Sequence, residues 1–237
     1  MENYKEMLDK AIALAKEIFE SDKERTQHNL FSILKMENKE VSAHSAFIYY
    51  LLNPENFEND YNLREFIKIV LGKKIEDEKL KVEREYAEID GNRVDFVIWI
   101  NEKPVAIEMK VWAGEQPLQL ERYANFVKEL GGTSDDVYFL TPNGHQSKTL
   151  QSAKCKSFKC HLKSWLHKLS EKYKDEKRIS SMVEQYLELI DILTKNYEED
   201  IKRMELITKK EELFGIEELV KARNLLMEES KKNFSKK

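Results

Sequence analysis

Glycine and proline are scarce in this chain: seven and four among 237 residues. Few breaks mean long regular elements, helices above all. Cysteine is scarcer still. Cys155 and Cys160 have no matching Cys or His pair at zinc-finger spacing, which sets aside a zinc site or a disulfide framework and leaves free thiols in a reducing cytosol. No apolar run is long enough to span a bilayer, and the first nineteen residues carry acids and lysines where a signal peptide would have its apolar core. A soluble, cytoplasmic protein with no membrane partner is expected. There is no excess of either charge sign, no internal repeat and no low-complexity linker. Charged residues make up 35% of the chain, yet the net charge is −4 and 41% of residues are hydrophobic, which excludes a disordered chain. The length suits one sizeable domain, or one domain with a helical appendage.

What is present reads as helices around a few strands. Apolar residues from Tyr4 to Phe19 recur at three- and four-residue steps, as in an amphipathic helix. A second helix is expected from about Lys39 to Leu52, stopped by Pro54, and a third from Leu63 to Leu71, stopped by Gly72. A strand over Leu80–Ile89 leads through a turn at Asp90, Gly91 and Asn92 into the alternating stretch Arg93–Ile100. After Lys110 the chain leaves the sheet. Pro117 suits the first turn of a helix that ends at Gly131 and Gly132. Val137–Thr141 is a short strand whose helical crossover implies parallel addition. Lys163–Leu169, Ser180–Ile207 and Ile216–Met227 complete the helices. The last two have apolar stripes suited to covering the sheet or a partner chain, a homodimer included. The domain division expected is therefore 1–179 for the core and 180–237 for a helical extension.

Charge is unevenly placed. From Lys148 to Arg178 there are nine lysines and one arginine against three acids. Such a run is either a solvated surface or a face turned to phosphates.

The chemistry concentrates between Arg93 and Tyr123. Alternation sends Val94, Phe96, Ile98 and Ile100 one way and Asp95, Val97 and Trp99 the other. In the next strand Val105 and Ile107 share one face while Ala106, Glu108 and Lys110 share the opposite one. With a two-residue loop at Asn101 and Glu102, Asp95 faces Glu108; with a four-residue loop it faces Lys110. Directly opposed Cβ atoms lie roughly 5 Å apart. Two carboxylates that close on a half-buried sheet require a positive partner, and a divalent cation beside a lysine meets that need. Taken alone, Glu40 reads as a first-turn acid that complements a helix dipole, and His44 and Ser45 as a hydrogen-bonded pair on a packed helix.

Asp95 in RVDFVI, followed by Glu108 and Lys110 in IEMK, resembles the core of the PD-(D/E)XK nuclease superfamily. Gln119-Leu-Glu-Arg-Tyr123 is similar to the Q-x-x-x-Y element of its RecB-like branch. NKEVSAHSAFIYYLLNPEN, with Glu40 ahead of His44 and Ser45, resembles the entry helix of a bacterial family within it. Val94 stands where the superfamily's first motif has its proline, which is not a ligand. The resemblance covers roughly residues 29 to 142.

It implies an α/β, restriction-endonuclease-like fold: a mixed central sheet flanked by helices, with N-terminal helices and a helical C-terminal extension. It also implies a Mg²⁺-dependent nuclease, with Mn²⁺ able to substitute, acting on nucleic acid, DNA in the first place. Asp95 and Glu108 would bind the ion with the backbone carbonyl of Met109, and Glu40 would reach it from the helix. Lys110 would orient or deprotonate a water, or stabilise developing charge. Gln119 and Tyr123, with Gln116, His44 and Ser45, would contact substrate or brace the site. The rival expectation is a member of the same fold that binds nucleic acid or protein without cutting.

Overall fold

The structure, a computed structural model, describes residues 28–87, 93–111 and 113–211, with side chains described as far as Thr194. Five strands form one sheet in the order β1-β2-β3-β4-β5: β1 (Leu80–Ala87), β2 (Arg93–Ile100), β3 (Lys103–Met109), β4 (Val137–Thr141) and β5 (Lys154–Ser157). The first three make an antiparallel meander, and β3, β4 and β5 run parallel. The β2–β3 connection is the two-residue loop. Asn101 and Glu102 both adopt left-handed backbone, φ 48° and 69°, as a tight hairpin turn demands. The ladder runs from Ile100↔Lys103 to Phe96↔Ile107, and one further step sets Asp95 across from Glu108.

Helices pack on both faces. The first described one is α1 (Leu30–Ile33), capped by the Asn29 side chain. Next, Glu40–Ser45 winds as a π-helix into α2 (Ala46–Leu52), and α3 (Tyr61–Phe66) runs on as π-helical Ile67–Leu71 until Gly72 at φ 70° ends it. The β3-to-β4 crossover contains α4 (Gln119–Glu129). After β5, Phe158–Leu162 leads into α5 (Lys163–Lys172), and α6 spans Lys177–Glu211.

The sheet divides the core in two. Phe96, Ile98, Ile107, Met109, Tyr138 and Leu140 pack with α2, α3, α5 and α6 in the larger cluster. Val97, Ala106 and Phe139 pack under Leu120, Tyr123 and Val127 of α4 in the smaller one. Fully burying one such side chain is worth roughly 1.5–3 kcal/mol, so the apolar faces of the strands fix which side each helix covers. The compact unit extends through α6 as far as Thr194; the residues after it belong to a second unit.

Two local expectations change, one strand was not expected, and three expected elements lie outside the described residues. Val94 joins the smaller cluster with Val97, not Phe96 and Ile98; alternation fails beside a distortion in β1, where Glu85 has φ 52°. Pro117 lies in a turn ahead of α4, and Leu118, at φ 58°, is the residue that opens the helix. β5 gives no alternating apolar signal, because Lys154 and Lys156 occupy one of its faces. β1 is described only to Ala87, so the turn at Asp90–Asn92 lies outside the described residues, as do the helices expected at Tyr4–Phe19 and Ile216–Met227. Among the described residues no helix is long and apolar enough to cross a membrane.

Candidate active site

Glu108 is the centre of the site. It is only 2% exposed and lies on the α4 side of β3. Its Oε1 takes two donors: Lys110 Nζ at 2.6 Å and Gln119 Nε2 at 2.8 Å. Gln119 also donates to the Tyr123 hydroxyl at 3.0 Å. The single hydroxyl proton of Tyr123 has two acceptors in reach, Glu108 and the Arg93 carbonyl, and the 2.8 Å contact assigns it to Arg93. Thus α4 is tied to both β2 and β3 through two residues one helical turn apart. The other carboxylate oxygen, Glu108 Oε2, is buried and without a hydrogen-bond partner among the described residues.

Asp95 is half-buried, and its Oδ2 accepts the Met109 N–H at 2.8 Å. The sequence-predicted pair is therefore brought close together by the two-residue turn, with Lys110 just beyond the end of β3. Burial raises the Asp95 carboxyl well above its ordinary value; the negative charge of Glu108 adds to this, against the Met109 amide and Lys110. Burial raises Glu108 as well, opposed by the charge and hydrogen bond of Lys110. Burial works to lower Lys110, but the charges of Glu108, Asp95 and Glu40 outweigh it, so the ammonium is held above its usual range.

Glu40 opens the π-helix before α2, and its Oε1 accepts the N–H groups of Val111 at 2.8 Å and Ala113 at 3.0 Å. It thereby anchors the segment leaving β3 and also acts on Glu108 and Lys110 through its charge. Gln116 is exposed; its backbone N–H donates to Gln119 Oε1 at 3.3 Å. His44 is turned to the core. Its Nε2–H donates to the Glu37 carbonyl at 2.8 Å, its Nδ1 accepts the Tyr186 hydroxyl at 2.9 Å, and burial lowers its pKa. Ser45 is buried beside it, with no hydrogen-bond partner for its Oγ among the described residues. Neither hydrogen bond of His44 reaches Asp95 or Glu108, and only the charge of Glu40 acts on it from the site.

Sequence reasoning misses Glu115. Its carboxylate accepts from Ser147 Oγ (2.7 Å), Lys148 N (2.9 Å), Thr149 N (3.2 Å) and Thr149 Oγ1 (2.9 Å). Burial would raise this acid, but the hydrogen bonds prevail and lower it. An acid in a polar Gly-Glu-Gln stretch carries no signal of partners more than thirty residues away.

Among the described residues no group of three or more His, Cys, Asp and Glu side chains gathers to hold an ion. The donors that do gather nevertheless suit a hard divalent cation: two carboxylates, one with an oxygen left unpaired in the interior.

A mixed sheet flanked by helices, with Asp95 on β2, Glu108 and Lys110 at the end of β3 and Gln119 and Tyr123 on the next helix, is a restriction-endonuclease-like α/β arrangement. The chain belongs to the PD-(D/E)XK nuclease superfamily, whose family model matches residues 28–188. No curated protein and no solved structure matches it.

Proposed function

We propose that this protein is a divalent-metal-dependent nuclease that hydrolyses phosphodiester bonds, with DNA as its first candidate substrate and Mg²⁺, or Mn²⁺ in its place, as its ion. One observation carries the reading: the buried Glu108 carboxylate lies beside the half-buried Asp95, pairs with Lys110 through one oxygen, and leaves the other oxygen without a hydrogen-bond partner among the described residues. Native proteins rarely leave such a group unsatisfied without a use for it.

Asp95 and Glu108 would hold the ion, with the Met109 carbonyl and Glu40 as further donors. When bound, the ion supplies Lewis-acid polarisation of the scissile phosphate and a more acidic water. Lys110, held as an ammonium by Glu108, places positive charge where the phosphate gains negative charge. Its raised pKa favours that role over proton abstraction. Gln119 fixes the rotamer of Glu108 and is itself fixed by Tyr123 and the Gln116 amide.

The rival reading, a member that binds nucleic acid or protein without cutting, is favoured by the engagement of Glu40 with backbone amides. Plasmid and oligonucleotide substrates with Mg²⁺ or Mn²⁺ separate the two. Cleavage is expected, stopped by chelator and reduced about 10²–10³-fold by Lys110→Ala, with a loss at least as large for Glu108→Ala. Cleavage that survives both substitutions would sink the nuclease assignment. Mn²⁺ binding without cleavage would point to the rival.

A further inference from the structure

Phe139 is the register partner of Glu108 on β4, and Cys155 is the partner of Phe139 on β5. These three residues form a row on the α4 side of the sheet. The chain leaving β4 folds back over this row. It turns at Gly144, which has φ 74° and donates its N–H to Thr141 Oγ1 at 3.0 Å. The exposed His145 ring then packs edge-to-face with Phe139, centroids 5.4 Å apart, and Gln146 Oε1 accepts from Cys155 Sγ at 3.0 Å. Two anchors hold the loop in this place. At its start the Gly144 N–H bond to Thr141 ties it to β4, and at its end Glu115, on the segment that follows β3, holds Ser147, Lys148 and Thr149 by the hydrogen bonds described above; within the loop Asn143 Oδ1 accepts from His145 Nδ1 at 2.9 Å.

The lysine-rich run divides in space. Lys154 lies over the Tyr138 ring, near Asp135, and Lys156 lies against Gly72, both on the opposite side of the sheet. Lys163 pairs with Asp191, and Lys172 rests on the rings of Tyr61 and Tyr173. These lysines serve the fold. Lys148 instead belongs to the loop whose His145 packs on Phe139, its backbone held by Glu115 and its side chain exposed.

We propose that the loop Asn143–Thr149 is a subsite for the nucleic-acid backbone beside the scissile phosphate. Lys148 binds a phosphate as an ammonium, and the exposed His145 ring, its Nδ1–H already given to Asn143, lines the path of the strand beside it. The proposal rests on the nuclease reading. One strand spacing of ~4.8 Å plus the ring contact places His145 on the order of 10 Å from Glu108, a few nucleotides at ~3.4 Å of rise each. A loop held at both ends by hydrogen bonds loses little freedom on binding. Contacts of this kind position a strand without reading its sequence.

Fluorescence anisotropy of labelled single- and double-stranded oligonucleotides tests this on the full chain, with Ca²⁺ in place of Mg²⁺, across a salt series. His145→Ala/Lys148→Ala is expected to raise Kd about tenfold and to reduce the slope of log K against log salt by about one. Lys148→Glu should weaken binding more than Lys148→Ala, an ordering that a purely structural role would not produce. In Mg²⁺, KM for cleavage should rise while kcat stays within about twofold. If the double variant misfolds, Lys148→Glu and Lys148→Ala, at an exposed side chain, carry the salt-slope test alone. Unchanged Kd and slope in variants of a wild type that binds and cleaves overturn the subsite and leave the nuclease reading standing. A wild type that neither binds nor cleaves any of these oligonucleotides overturns both.

Discussion

Asp95 and Glu108 sit together against their own electrostatics, and the consequence is measurable without substrate. Burial and mutual repulsion let the folded chain keep a proton that the unfolded chain releases near pH 4. Above that pH the native state binds more protons than the unfolded one, so stability falls as pH rises. The contribution is complete below about pH 4 and is lost as pH climbs through the raised native values. Asp95→Asn removes one charge and keeps an oxygen for the Met109 amide. It is expected to raise the metal-free Tm at pH 8 by roughly 2–8 °C and to flatten the decline from pH 5 to 8 in thermal unfolding with chelator. Saturating Mg²⁺ should stabilise the wild type by mass action and leave this variant unmoved. Identical pH profiles for the two proteins would remove this account of the pair. His44 acts in the opposite direction, because its lowered pKa costs stability as pH falls below about 6.5; that contribution is common to both proteins and cancels in the comparison.

At the scale of elements, the β2–β3 turn decides whether the site exists. Asn101 also joins β1, donating its N–H to the Lys79 carbonyl and accepting the Lys79 N–H at its side chain, so the register of the meander is fixed at its turn. Glu102 occupies left-handed backbone with a Cβ. Replacing it with glycine relieves about 1–2 kcal/mol of local strain and adds about 0.4–1 kcal/mol of unfolded-chain freedom. Glu102→Gly is therefore expected to gain roughly 0.5–1 kcal/mol in urea unfolding, with cleavage unaffected. A loss of stability would show that the glutamate side chain makes a contribution larger than the strain.

At the scale of the whole compact unit, the part of α6 up to Thr194 completes the core. Val183, Tyr186, Leu187, Leu189, Ile190 and Leu193 all belong to the larger core cluster, and Tyr186 also holds His44. Losing six such side chains at roughly 1.5–3 kcal/mol each, about 9–18 kcal/mol together, matches or exceeds the usual margin of about 5–15 kcal/mol. A chain ending at Ile179 is expected to lose its cooperative unfolding transition, whereas one ending at Thr194 should keep both that transition and metal-dependent cleavage. Circular dichroism and the plasmid assay check both chains. A folded, active 1–179 fragment would show that the first part of α6 is dispensable.

Local periodicity in the sequence determined a good deal. Alternation over Phe96–Ile100 and Lys103–Met109 marked which residues of each strand share a face, the three- and four-residue steps after Lys39 and Leu63 marked their helices, and the four-residue interval between Gln119 and Tyr123 put both on one helix face. These readings hold because strand and helix periods are set by backbone geometry within a few residues. Only the tertiary structure decided what each polar atom touches. It chose between the two hairpin registers, directed Glu40 to the amides of Val111 and Ala113, turned His44 to Tyr186, bound Glu115 to the β4–β5 loop and brought Lys154–Ser157 into the sheet as an edge strand with Lys154 against Tyr138. Each of these pairings spans tens of residues or depends on which turn closes. A carboxylate's partners are chosen by proximity after folding, and no period in the chain encodes them.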